Sequence, residues 1–137
     1  MAEAHNARDM SELPSVLVID DEPHVHLFLR TLLEAAGAGE IREAPNGAEG
    51  VALYAQSRPD LVLLDLNMPG QTGIDTLEQI MANDPEAAVI IVTSQHDKQT
   101  VMECQQRGAT GFLLKSRPKD ELLAALREFF RDSAAER

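Results

Sequence analysis

Four short apolar runs constrain this chain more than any other feature. Val16–Ile19, Leu61–Leu64, Val89–Val92 and Phe112–Leu114 are too short for helices and rich in branched residues, so they read as strands buried on both faces. Each run ends on polar side chains: Asp20-Asp21, Asp65, Thr93 and Lys115 in turn. A carboxylate is costly to desolvate, so a buried strand that ends in one either opens onto solvent or delivers it to a site. A fifth, weaker run, Glu40–Ala44, alternates polar and apolar residues, as an edge strand does.

Helical patterns separate the runs. Val25, Phe28, Leu29, Leu32, Leu33 and Ala36 recur at helical spacing, with Pro23 suited to the first turn and Gly37 to the end. Asn46 and Glu49 stand three apart as an N-cap pair, and Val51, Ala52 and Ala55 are the expected buried stripe of the second helix. Ile74, Leu77, Ile80 and Met81 mark a third helix. A fourth, over about residues 97–107, carries a thin stripe of Val101, Cys104 and Met102. Pro118 opens a fifth with Leu122, Leu123, Leu126, Phe129 and Phe130 inward. Strands and helices alternating in this way predict an α/β/α sandwich, a five-stranded parallel sheet with helices on both faces. With the weak second strand at an edge, the order 2-1-3-4-5 fits. Ligands of such sheets sit beyond the carboxyl ends of the strands, where the order reverses.

The 137 residues suffice for one domain with a real core: a flexible tail over 1–13, the folded unit over 14–132 and a short tail over 133–137. A net charge of -11 argues against a direct nucleic-acid surface. Cys104 is the one cysteine and can form no internal disulfide. No apolar stretch is long enough to span a membrane, and the N-terminus lacks a signal-peptide core. The expectation is a cytoplasmic protein. His5, His24, His26 and His96 read as solvated surface, with His24 and His26 on the first helix near the acidic strand ends, where a partner protein can meet them.

In the expected sheet, Asp20, Asp21, Asp65, Thr93 and Lys115 converge on one rim. Two carboxylates about 4 Å apart repel by roughly 4 kcal/mol at an effective dielectric near 20, so three gathered together call for a cation. Oxygen ligands without His or Cys suit Mg²⁺, which favours phosphate as a further ligand. Lys115 adds positive charge, Thr93 offers a hydroxyl, and a carboxylate in that setting can attack phosphorus. Asp65, between the acidic pair and the Thr/Lys pair, is the expected nucleophile.

The stretches VLVIDDEP, PDLVLLDLNMPG, VIIVTS and GATGFLLKS together resemble the receiver domains of bacterial two-component response regulators, over about residues 15–131. The resemblance implies a flavodoxin-like fold and a stand-alone, chemotaxis-regulator-like phosphoryl acceptor that is not an enzyme. It implies Asp20 and Asp21 as Mg²⁺ ligands, Asp65 as phosphoacceptor and further ligand, and the Asn67 backbone carbonyl as another. Thr93 and Lys115 become the phosphoryl-binding pair, Thr93 and Phe112 the switch residues, and Ser94 the small neighbour that leaves the phosphoryl group room. The implied partners are a histidine kinase or phosphotransfer protein, a downstream protein target and, as one output, a phosphorylation-dependent homodimer. Ser116 follows Lys115 where many receivers carry proline, so a trans bond is expected there. Gln95 stands where family members differ. Three alternatives remain open: a phosphatase of haloacid-dehalogenase type, the receiver half of a DNA-binding regulator, and a relay intermediate. The phosphatase would want an Asp where Asn67 stands.

Overall fold

The computed structural model describes residues 13–66, 73–94 and 98–135. Its strands are β1 (Val16–Ile19), β2 (Ile41–Ala44), β3 (Leu61–Asp65), β4 (Val89–Thr93) and β5 (Gly111–Leu114). Its helices are α1 (Pro23–Ala36), α2 (Gly47–Ser57), α3 (Gly73–Asn83), α4 (Lys98–Gln106) and α5 (Lys119–Ala135). All pairings are parallel, in the order β2-β1-β3-β4-β5. The expected sandwich and strand order are therefore what the chain adopts. Segments 1–12, 67–72, 95–97 and 136–137, with His5, Asn67, Gln95 and His96, lie outside the described residues.

The branched runs of β1, β3 and β4 are almost wholly enclosed. Their alternating side chains feed two cores. Val16, Val18, Leu61, Leu63, Ile90 and Val92 meet the apolar faces of α1 and α5. Leu17, Ile19, Val62, Leu64, Val89 and Ile91 meet α2, α3 and α4. Pro23 opens α1 as expected, and Gly37 closes it at φ 101°. There the left-handed backbone lets the Ala38 N–H donate to the Leu33 carbonyl at 2.9 Å. Asn46 caps α2, accepting from the Glu49 N–H at 2.9 Å.

Two readings need correction. The face of α2 that packs inward carries Gly47, Gly50 and Tyr54, whereas Ala52 and Ala55 are exposed. A Cβ at Gly50 would run into the Ile19 side chain; the helix docks by bringing backbone, not bulk, against β1, and glycine is invisible to an apolar stripe. The second correction concerns β5, which is half-buried throughout rather than covered on both faces. It forms the second edge of the sheet, and the helix beside it is poorly anchored. Of α4, Cys104 alone is fully buried among the described residues, while Met102 is half exposed. The Lys115–Ser116 bond is trans, as expected.

Candidate metal and phosphoryl site

The site is built by strands that stop in step. Ile19 pairs with Leu64, so Asp20 and Asp65 emerge level from β1 and β3. Asp65 pairs with Val92, and Thr93 follows one residue on. The ladder does not stop at the last strand residues: the Asp20 N–H donates to the Ala44 carbonyl at 3.1 Å, and the Lys115 N–H to the Thr93 carbonyl at 2.8 Å. Asp20, Thr93 and Lys115 are thereby held by backbone before their side chains do anything. Beyond Asp65 the chain returns at Gly73, whose N–H lies 3.3 Å from the Leu66 carbonyl. A Cβ there would fall 2.7 Å from the Asp65 carbonyl oxygen, so α3 can begin this close only on glycine.

Carboxylate oxygens of Asp20, Asp21 and Asp65 lie within 4.8 Å of one another. Asp20 and Asp65 are only 1% and 2% exposed, and Asp21 is more open. Lys115 reaches both buried acids, its Nζ 3.1 Å from Asp20 Oδ2 and 3.5 Å from Asp65 Oδ1. The remaining Asp20 oxygen accepts the Glu22 N–H at 2.9 Å. Three acidic groups against one ammonium leave the rim with two negative charges in excess. An all-oxygen set with neither imidazole nor thiolate fits a hard divalent cation. Thr93 is buried at the same rim, at 1% exposure.

Four of the expected residues, Asp20, Asp21, Asp65 and Lys115, thus meet, and Thr93 adjoins them through backbone. Phe112 does not point into this rim. It packs on the α4 side of β5 and lines a groove of about 410 Å³ with Val101, Leu114, Arg117, Glu121 and Ala125. Ser94 is exposed. Asn67 lies outside the described residues.

The sequence reading missed one constellation beside the site. His26 is not solvated: its side chain is 13% exposed and wedged between the Asp20 backbone carbonyl, which its Nε2 contacts, and Glu43. A spacing of six from the acidic pair was the available signal, but it could not be told from surface without knowing how α1 lies. Cys104 is wholly buried, and burial, followed by the charge of Glu103, pushes its thiol above the ordinary range. That is the setting of a packing residue.

Comparison with known proteins gives a consistent picture. The family model described as the response regulator receiver domain matches residues 16–127. The chain is 33% identical over 111 residues to the chemotaxis protein CheY of Thermotoga maritima, covering 81% of this chain and 92% of that one. It is 34% identical over 118 residues to the nitrate/nitrite response regulator protein NarL of Escherichia coli, covering 85% of this chain and 55% of NarL. The chain therefore spans about half the length of some curated relatives. Among solved structures, CheY in the CheX-CheY-BeF3-Mg²⁺ complex of Borrelia burgdorferi is similar at TM-score 0.79 and 30% identity, covering 85% of this chain and 88% of that one. CheY4 of Vibrio cholerae is similar at TM-score 0.78 and 26% identity, covering 85% and 98%.

Proposed function

Because this chain belongs to the response regulator receiver domain family, we propose that Asp65 accepts a phosphoryl group, with Mg²⁺, from a histidine kinase or phosphotransfer protein. The observation that carries the proposal is the convergence of Asp20, Asp21 and Asp65 within 4.8 Å under a lysine that touches two of them. The chain is a signalling module, not an enzyme with turnover of its own. We take residues 14–132 as the receiver unit. The phosphatase alternative loses its ground once the family is known.

Asp20 and Asp21, with the carbonyl of Asn67 as the family suggests, would hold the ion. When bound, Mg²⁺ supplies positive charge against the three carboxylates and the phosphoryl oxygens. An Asp65 oxygen forms the new P–O bond as the donor's P–N bond breaks, and the leaving imidazole takes up a proton. Lys115, already bridging Asp20 and Asp65, moves its charge toward the phosphoryl oxygens. Thr93 donates its hydroxyl to one of them. The chain's contribution is positioning and fixed charge, which phosphoryl transfer mostly requires.

The readout lies one strand away. A shift of Thr93 pulls on Lys115 and β5 through the 2.8 Å backbone bond, and Phe112 follows toward the space Thr93 leaves. On the face of α4, β5 and α5, β5 is only half-buried and α4 buries Cys104 alone among its described residues, so α4 and β5 can rearrange against the better-anchored α5 at little cost. A downstream protein, or a second phosphorylated copy, reads that face. The CheX complex of the Borrelia relative supports a protein partner for this class of domain. The test is incubation of wild type and Asp65→Asn with a small phosphodonor and Mg²⁺, followed by intact-mass measurement. Wild type gains the mass of one phosphoryl group and the variant none. Equal labelling of both removes Asp65 from the mechanism.

A further inference from the structure

The turn that carries the acidic pair is gripped by a histidine outside it. His26 Nε2 contacts the Asp20 carbonyl oxygen. A carbonyl only accepts, so Nε2 is the donor in this contact. On the other side of the ring, Nδ1 lies 3.5 Å from Glu43 Oε1. The second Glu43 oxygen takes a 2.9 Å bond from Arg30 Nε, and Arg30 also donates to the Ile41 carbonyl at 3.2 Å. His26 thus stands between the Asp20 peptide and the Glu43–Arg30 pair beside the edge strand β2.

The peptide that His26 grips is the one joining Asp20 to Asp21. Its C=O belongs to Asp20 and its N–H to Asp21, and planarity makes the two turn together. Fixing the carbonyl fixes the direction in which Asp21 leaves the strand. The Asp20 carboxylate has separate anchors, the Glu22 N–H and Lys115. Asp21 is more open than its two partners, so the orientation of this peptide bears directly on where its carboxylate points.

We propose that His26 is a positioning residue for the cation site: by holding the Asp20–Asp21 peptide from its place beside Glu43 on the β2 side, it sets the affinity for Mg²⁺. This rests on the receiver reading, in which Asp20 and Asp21 hold the ion. Partners one shell out from a metal ligand are commonly worth about 10- to 100-fold in metal affinity.

The test is Mg²⁺ titration of the full chain, followed by amide chemical shifts without phosphodonor. His26→Leu is expected to weaken affinity about tenfold or more. His26→Gln, whose amide nitrogen reaches nearly as far as Nε2, restores most of the loss. Glu43→Gln weakens affinity in the same direction but less. Should His26→Leu not fold, His26→Asn, which keeps an amide but falls short of Asp20, takes its place against His26→Gln. Wild-type affinity in the Leu or Asn variant, or equal weakness in the Gln variant, overturns the proposal. A wild-type chain indifferent to Mg²⁺ sinks the receiver reading itself, and this proposal with it.

Discussion

The two ends of the sheet treat aspartate in opposite ways. At the carboxyl ends of the strands, Asp20, Asp21 and Asp65 crowd together with one lysine between them. At the other end, Asp84 closes α3 with every need met internally. One oxygen accepts the Glu86 N–H at 3.0 Å, and the other takes Tyr54 OH at 2.7 Å and Arg58 at 3.1 Å. Arg58 also lies over the Tyr54 ring, 5.9 Å from its centroid. One acid with one guanidinium and a phenol is neutral and complete. Three acids with one ammonium carry negative charge in excess. The same residue type staples the fold where its partners balance it and makes a binding site where they do not.

The sharpest way to break this comparison is to remove the staple. Tyr54 is 2% exposed, so Tyr54→Ala loses core volume as well as the hydrogen bond and costs about 3 kcal/mol or more of stability. Tyr54→Phe keeps the ring and isolates the hydroxyl at about 1 kcal/mol. Thermal unfolding reads both, and in both folded variants the Mg²⁺ response at the far rim persists. If Tyr54→Phe abolished that response, the two ends would not be independent.

The reverse experiment is smaller and opposite in sign. Without metal, Asp21→Asn relieves repulsion at the crowded rim and raises stability by about 1 kcal/mol, because a partly exposed charge is heavily screened. The same variant forfeits the stabilisation that wild type gains from Mg²⁺, about 1.4 kcal/mol at ten times the dissociation constant. A variant destabilised in metal-free buffer would mean that Asp21 is already balanced by the protein.

The smallest effect is the pH dependence of the staple. The Tyr54 hydrogen bond, then the Glu86 N–H, hold the Asp84 carboxyl below its ordinary range. The folded chain therefore binds this proton less tightly than the unfolded one. Its contribution is present above about pH 4 and is lost as the pH falls through the lowered value. Burial, then Asp84, pushes the Tyr54 phenol up, so the tyrosine's contribution is complete below about pH 10 and lost above it. Acid unfolding of wild type and Asp84→Asn, compared on one pH scale, should converge at the lowest pH. A constant gap would exclude the linkage.

Much of this was legible beforehand. Strands of branched residues that end in Asp, Asp, Thr and Lys constrain both the parallel sheet and the rim at which those ends meet, since parallel strands in one register bring their last residues side by side. Caps at Pro23, Gly37 and Asn46 are local chemistry and read directly from the letters. Tyr54 and Gly50 were not legible. They depend on which face of α2 lies closest to β1, and a glycine chosen for close approach carries no hydrophobic signal. Half-burial of β5 was hidden for a related reason, since Phe112–Leu114 is as apolar as any central strand and only the thin cover of α4 leaves it open.

The sequence alone determined the alternation of strand and helix and the identity of the acids at the strand ends, because these follow from periodicity and from residues adjacent in the chain; the order 2-1-3-4-5 fitted the weak edge strand, and the structure adopts it. Only the tertiary structure decided that Lys115 bridges Asp20 and Asp65, that Asp84 is balanced by Tyr54 and Arg58, and that His26 turns inward onto the Asp20 peptide. Those contacts join residues brought together by helix placement, and charge balance is a property of the neighbourhood rather than of any residue in it.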